Sequence, residues 1–313
     1  MSGLMVLFVM DPVPGLKPHK DTSLGLVREA QRRGHQCHAC TANDLGLRDG
    51  EARVRSRALS VDLDATPFYT LGPRESRPLN DFAIVLMRTD PPVDATYVFA
   101  TQVMDLAGPG TRALNRPGAL RDFNEKLTIA RFPELCAQTI TSVHADELRA
   151  FAREQGAIVM KPLDGMGGKS IFRTGGDDPN LSVIIETLTD SGQRPAMAQA
   201  YLPAIRDGDK RVLMIDGKPW PRLLARVPLA GESRGNLAAG GRGDVRDLGP
   251  AEQRIAETVG PWLREQGVRF AGLDVIGGHL TEINVTSPTC VREIEDHDGS
   301  NICAALWDAF ERE

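Results

Sequence analysis

The apolar and polar positions alternate between two periods along this chain. Residues 4–10 form an unbroken apolar run that stops at Asp11-Pro12, the mark of a strand buried on both faces of a parallel sheet. Asp21-Thr22-Ser23 then offers a helix cap, Leu24, Val27 and Ala30 recur at helical spacing, and Gly34 supplies a stop. A weaker strand is expected over residues 35–39 and a third apolar strand over residues 82–87, ending in Arg88-Thr89-Asp90-Pro91-Pro92. Such alternation predicts an open parallel-sheet α/β domain over roughly the first 120 residues. Ligands of these sheets bind beyond the carboxyl ends of the strands, where Asp11 and Arg88 stand. Arg88 is a candidate clamp for a substrate carboxylate, although an arginine in this position is more often a surface ion pair.

The middle of the chain opens at residues 121–126, which end in Lys126, and Pro133 closes the following segment. Residues 157–162 make a short apolar strand with Lys161 near its end. Leu163-Asp164-Gly165-Met166-Gly167-Gly168-Lys169-Ser170 follows, and it imitates a phosphate-binding P-loop without being one. Leu163 stands where that motif needs a glycine, and residues 171–173 continue as a strand instead of opening a helix. The glycines therefore read as a hairpin tip, able to lay backbone N–H groups over phosphates. Residues 197–203 predict an edge strand leading into a connector whose backbone groups suit an adenine ring.

Residues 207–218 read as turn, strand and turn, with Arg211 at the start of the strand. Residues 221–227 are its hairpin partner and carry Arg222 and Arg226. Residues 231–243 hold five glycines, little apolar periodicity, and Arg234 and Asn236. They predict a mobile loop, read as an active-site lid for anionic ligands. Residues 252–266 form an amphipathic helix with Ile255, Val259 and Leu263 on one stripe, and residues 302–310 form a closing helix.

Residues 272–289 contain two apolar runs around Gly277-Gly278, a hairpin signal. Asp274, Glu282 and Asn284 sit on it. Two carboxylates and an amide, with no Cys or His, suit a hard ion such as Mg²⁺ that shares its remaining positions with water and phosphate. A two-residue loop with regular pairing would set Asp274 opposite Thr281 and turn Asp274 and Glu282 to opposite faces. A shared ion therefore requires Asp274 opposite Glu282, through a bulge or an odd connection such as Gly277-Gly278-His279. The alternative is a hairpin with solvated polar residues on its outer face.

Composition narrows the choice. The 313 residues suffice for roughly two or three domains. Net charge is −5, from 42 acidic and 37 basic side chains, so no basic excess points to nucleic acid. The first apolar run is far too short to span a membrane, and no basic segment precedes it as in a signal peptide. A cytoplasmic protein is expected. The five cysteines are scattered, and Cys37 and Cys40, three apart on an expected strand, face opposite sides. Neither a disulfide framework nor a zinc site is expected.

Lys126, Lys161, the Gly165–Gly168 tip, Asp274, Glu282 and Asn284 occur in the order of the ATP-grasp superfamily signature. Longer blocks extend the likeness, among them Met10-Asp11-Pro12, Asp90-Pro91-Pro92, Tyr201-Leu202-Pro203-Ala204-Ile205, Asp207-Gly208-Asp209-Lys210-Arg211 and Thr281-Glu282-Ile283-Asn284-Val285-Thr286-Ser287-Pro288-Thr289-Cys290. In these the chain resembles the bacterial-type glutathione synthetases over essentially its whole length. Thr89, Lys169 and residues 61–77 depart from the pattern, at no position given a phosphate or metal role.

The resemblance implies an ATP-grasp fold in three parts: an N-terminal α/β substrate-binding domain (1–122), a central lid subdomain (123–202), and a C-terminal antiparallel-sheet subdomain with the metal site (203–313). It implies an ADP-forming ligase that joins γ-glutamylcysteine to glycine through an acyl phosphate, with ATP and Mg²⁺, or Mn²⁺, as cofactors. Lys126, Lys161, Gly165, Gly167 and Gly168 would hold phosphates. Gln199, Ala200, Tyr201 and Leu202 would line the adenine, with Asp209 at the ribose and Asn284 beside the metal carboxylates Asp274 and Glu282. Arg211, Arg226, Arg234 and Lys161 would serve catalysis. Asp11, Arg88, Asp90, Arg211, Arg226, Asn236, Ser287, Thr289 and Arg292 would bind substrate. No nucleic acid or membrane partner is implied, and the assembly would be a homotetramer. The rival readings are an ATP-grasp ligase for another acid and amine, and a non-catalytic, synapsin-like ATP-binding module.

Overall fold

A computed structural model describes residues 3–229, 235 and 240–312. The first sheet is built on β1 (Met5–Met10), whose last five residues are buried and which pairs in parallel with β2 (Gln36–Cys40). On its other side β1 pairs in parallel with β6 (Ile84–Arg88), and β6 with β7 (Arg112–Leu114). These are the expected apolar strands. Helix α1 (Thr22–Arg32) follows β1, and the Asp21 side chain caps it by accepting from the Leu24 N–H at 2.9 Å. Gly34, at φ +82°, ends the turn in the left-handed region that glycine adopts freely.

The parallel strands carry an extension. An antiparallel meander of β3 (Leu45–Arg48), β4 (Glu51–Val61) and β5 (Tyr69–Pro78) continues the sheet beyond β2. Helices α2 (Ala95–Asp105) and α3 (Pro117–Asp122) complete this part. Cys37 and Cys40 pack into different cores on opposite faces of β2, as their spacing requires.

The second sheet is antiparallel, in the order β10-β9-β11-β8, from β8 (Thr139–Ser142), β9 (Ala157–Pro162), β10 (Phe172–Gly175) and β11 (Ala196–Ala200). The strand expected at an edge, β11, is internal: β8 pairs along its outer side, with Met197 opposite Thr141. The β8 sequence, Thr-Ile-Thr-Ser, is too polar and short to announce itself. Helices α4 (Ala145–Gln155) and α5 (Leu181–Thr189) close a core of this sheet's own around Leu148, Ile158, Met160, Ile185 and Ala198.

The third sheet runs β14-β13-β12-β15-β16, from β12 (Asp209–Ile215), β13 (Lys218–Val227), β14 (Arg242–Asp247), β15 (Phe270–Ile276) and β16 (His279–Asn284). Arg242 and Gly243, expected in the loop, belong to β14. Alternate residues of β12 divide between two cores. Val212 and Met214 pack under α6 (Pro250–Glu265) with Ile255, Val259 and Leu263. Leu213 joins the core of the first sheet, with Phe8, Phe270 and Trp307. Helices α7 (Val291–Asp298) and α8 (Ile302–Glu311) return the chain to α1, where Trp307 Nε1 donates to the Leu26 carbonyl at 2.9 Å. Among the described residues no helix is long and apolar enough to cross a membrane.

Candidate active site

The β15–β16 hairpin turns through Gly277-Gly278, both at positive φ, with Ile276 opposite His279. The register then shifts, so that Val275 faces Leu280 and Asp274 faces Glu282. The extra residue is Thr281, whose hydroxyl donates to the Asp274 carbonyl at 3.1 Å. Asp274 and Glu282 thus share a face through a β-bulge beyond a two-residue turn, not through the three-residue connection expected at His279.

The two carboxylates have different surroundings. Asp274 is buried and faces Arg211 of β12, which donates Nε to Oδ1 at 2.6 Å and a terminal nitrogen to Oδ2 at 3.2 Å. Arg226 of β13 lies 2.9 Å from the same Oδ2 and donates to Asp209 Oδ2 at 2.6 Å. Burial opposes ionisation of Asp274, but Arg211 and Arg226 overcome it and hold the carboxyl below the usual range. Burial dominates at Asp209 and pushes its carboxyl up, against the pull of Arg226. A Cβ at Gly272 would stand 2.8 Å from Arg211 Cδ, so that glycine keeps the space the guanidinium crosses.

Glu282 faces lysines instead. Lys161 Nζ donates to Glu282 Oε1 at 3.2 Å, and Lys126 Nζ stands 3.8 Å from the same oxygen while donating to the Gly165 carbonyl at 2.6 Å. Both lysines are buried. Asn284 donates its Nδ2 to the Gly272 carbonyl at 3.2 Å, leaving its Oδ1 as a possible ligand. Glu125 was not singled out from sequence. It accepts from the Val285 and Thr286 N–H groups and from the Thr286 hydroxyl, at 2.9, 3.1 and 2.8 Å, and so anchors the exit of β16. Burial pushes its carboxyl up despite those donors.

Two cavities meet at this hairpin. One lies between the second and third sheets. It is lined by Gln199, Ala200, Tyr201 and Leu202, by apolar Val159, Ile171 and Ile205, and by Lys161 and Asp209. Arg173 stacks over the Tyr201 ring at 4.0 Å. The other, wider one lies toward the first sheet and is lined by Asp90, Gly165, Gly167, Arg211, Arg226, Asn284, Ser287 and Thr289. Asp274 and Glu282 line both.

Three expected substrate residues are not on the walls of either of these cavities. Arg88 is buried beneath the wide one, donating to Ser23 Oγ at 3.1 Å and to the Pro288 carbonyl at 2.9 Å. Asp11 opens on a separate cleft with Arg55, Arg57 and Arg74, while its Oδ2 accepts from the Asp90 N–H. Arg292 is buried against α1 at Gly25 and faces Glu295 and Asp296 of its own helix. Lys17, Lys20 and Glu293 line the wide cavity and went unnoticed in the sequence. Gly168 belongs to the same tip as Gly167, and both have positive φ. Arg234 and Asn236 lie outside the described residues.

The donor set fits a divalent hard ion. Two carboxylates stand opposite one another with an amide oxygen beside them; Asp274 Oδ2 is shared by Arg211 and Arg226, while Oδ1 accepts from Arg211 alone and keeps a second lone-pair direction. Among the described residues no group of three or more His, Cys, Asp or Glu side chains could hold a metal, so phosphate and water would complete the shell.

Residues 4–121 match the prokaryotic glutathione synthetase N-terminal domain, and residues 125–299 match the ATP-grasp domain of the same family. Glutathione synthetase of Yersinia pestis is 52% identical over 306 residues, covering 97% of this chain and 96% of its own. That of Xanthomonas axonopodis pv. citri is 50% identical over 309 residues, covering 98% of each. Among solved structures, D-cycloserine synthetase DcsG covers 98% of this chain and 100% of its own at TM-score 0.67 and 15% identity. The ATP-grasp ligase PsnB, complexed with a minimal precursor, Mg and ADP, covers 98% of each chain at TM-score 0.59 and 17% identity. These two likenesses establish the ATP-grasp fold, and with the family matches over nearly the full length, this chain belongs to the prokaryotic glutathione synthetase family.

Proposed function

We propose that the protein ligates γ-glutamylcysteine to glycine, consuming ATP and releasing ADP, phosphate and glutathione. The observation that carries this reading is the pair Asp274 and Glu282, which lines both the cleft between the second and third sheets and the wide cavity toward the first. A phosphoryl group held there can pass from one ligand to the other.

Gln199 to Leu202 would receive the adenine, with Asp209 within reach of the ribose. Lys126 and Lys161 would exchange Glu282 for ATP phosphates, and the Gly165–Gly168 tip would cover them. Asp274, Glu282 and Asn284 would hold Mg²⁺, and Mn²⁺ suits the same oxygens. The ion when bound neutralises phosphate charge. The cysteinyl carboxylate is a poor electrophile until phosphorylated, and Arg211 and Arg226 would balance the charge of the acyl phosphate and the oxyanion formed from it. Ser287, Thr289 and Asp90 would contact the acid substrate. Arg88 would act from behind, by holding the Pro288 carbonyl, and Arg292 and Asp11 would take no direct part. Arg234 and Asn236 would belong to a lid that keeps water from the acyl phosphate.

We place residues 1–122, 123–202 and 203–313 as the acid-binding, nucleotide-covering and metal-bearing units, in a cytoplasmic homotetramer. The test is incubation with ATP, Mg²⁺, γ-glutamylcysteine and glycine. Glutathione and phosphate in equal amounts, absent when any one component is omitted, are expected. Phosphate without glutathione would refute the reading.

A further inference from the structure

The wide cavity contains a carboxylate that the mechanism above leaves without a task. Glu293 sits in the first turn of α7, lines the cavity wall, and is half-buried. Its Oε2 is sealed from solvent and has no hydrogen-bond partner among the described residues. Three other carboxylates there are engaged: Asp21 caps α1, Glu125 anchors Thr286, and Asp274 is held by two arginines. A buried carboxylate oxygen without a donor is a costly arrangement, and a ligand cation would relieve it.

What surrounds Glu293 indicates which cation. Lys20 faces it from the segment before α1, Arg211 from β12, and Asp296 from the next turn of α7, with Cys290 at the start of the same helix. Lys17 and Lys20 line the cavity alongside it. A carboxylate next to free cationic groups suits a small zwitterion, whose ammonium and carboxylate lie one carbon apart. Resting on the ligase reading, we propose that Glu293 receives the ammonium of the glycine substrate and removes its proton, while Lys20 takes the glycine carboxylate.

Glycine arrives protonated and cannot attack in that form. One N–H proton moves to a Glu293 oxygen, and the freed lone pair forms the N–C bond to the acyl carbon. The C–O bond to the phosphoryl group then breaks, and phosphate leaves with that electron pair and the second ammonium proton. Glu293 returns its own proton to solvent. Burial raises the Glu293 carboxyl above its ordinary range, against the pull of Lys20 and Arg211, which brings it nearer to neutral pH as a base.

Hydroxylamine separates this step from the rest, because it keeps a free lone pair at neutral pH and traps the acyl phosphate without a base. In Glu293→Gln, kcat/KM for glycine should fall about a hundredfold. Hydroxamate formation, and KM for ATP and for γ-glutamylcysteine, should stay within about threefold of the parent. Parallel loss of hydroxamate, a change in the KM of γ-glutamylcysteine instead of glycine, or an unchanged glycine kcat/KM would each overturn the assignment. The unaltered enzyme gives a second test, independent of whether the variant folds. Its kcat/KM for glycine should show an acid limb that hydroxylamine lacks, and identical limbs would overturn the assignment. An unaltered enzyme that makes no glutathione would overturn the ligase reading, and the inference with it.

Discussion

The five-stranded sheet and the four-stranded sheet face each other across the cleft that Gln199 and Asp274 line, yet they are fixed to the molecule differently. The five-stranded sheet shares a core with the N-terminal sheet, where Leu213, Leu224 and Phe270 pack with Val6, Phe8 and Trp307. Asn115 pins the joint: it donates to the Phe270 and Val285 carbonyls and accepts from the Arg269 and Phe270 N–H groups, all within 3.0 Å. The four-stranded sheet keeps its own core under α4 and α5. Its contacts across the cleft include the polar ones of Lys161 to Glu282 and Thr281, beside the packing of Met197 and Leu163 into the core under α6. Apolar fusion ties the wall that bears the carboxylates to the N-terminal sheet, whereas a core largely of its own would leave the other wall the freer of the two to shift.

The difference can be broken from the fused side first. Asn115→Ala leaves four backbone groups without partners, three of them in buried bonds, and should cost at least about 3 kcal/mol in urea unfolding. A loss below about 1 kcal/mol would mean that the joint rests on apolar packing alone. The polar seam should respond in function instead. Lys161→Gln should raise KM for ATP about a hundredfold, as expected when a buried charge against phosphate is removed. Its effect on stability should be smaller than that of Asn115→Ala, and the reverse order would dissolve the contrast.

Acid probes the fused side again. Hydrogen bonds from Arg32, and after burial's opposing effect from Arg33 and Asn301, hold Glu29 at about 2, and the one from Asn301 ties α1 to the start of α8. A depressed carboxyl contributes stability that is complete above its unfolded value and is lost as pH falls toward the folded one. Between pH ~4.5 and about 2 the protein should therefore lose more stability than Glu29→Gln does, and equal losses would remove the contribution. The smallest effect belongs to the glycine tip. Lys169 is exposed, and Lys169→Ala should alter KM for ATP by less than about threefold. A loss equal to that of Lys161→Gln would make the tip the principal phosphate ligand.

Elements with strong local patterns were legible in the sequence. The apolar β1 and β6 follow from unbroken apolar runs, and the capped α1 and the striped α6 from the period of 3.6. The hairpin pairing of Asp274 with Glu282 was legible too, because the expected shared ion would forbid the alternative, although the placing of the bulge at Thr281 was not. Strand β4 escaped because its outward positions are Arg53, Arg55 and Arg57 and its inward ones include small Ala52 and Ser56, which weakens the apolar alternation. Strand β8 escaped for its polarity, and β11 was placed at an edge in consequence. Asn115, Glu125, Gly272 and Glu293 carry no local signal at all. Each owes its place to a partner more than 60 residues away or to space kept for one, which periodicity does not encode.

The central claim is that one divalent ion site on the fused wall serves both cavities, and Mn²⁺ reports on it directly. Crystals grown with Mn²⁺ and ADP should give an anomalous-scattering peak between Asp274 and Glu282, with carboxylate oxygens of both within about 2.3 Å and nucleotide phosphate oxygens completing the shell. A peak held by phosphate and water alone, with Asp274 still engaged only by Arg211 and Arg226, would contradict it.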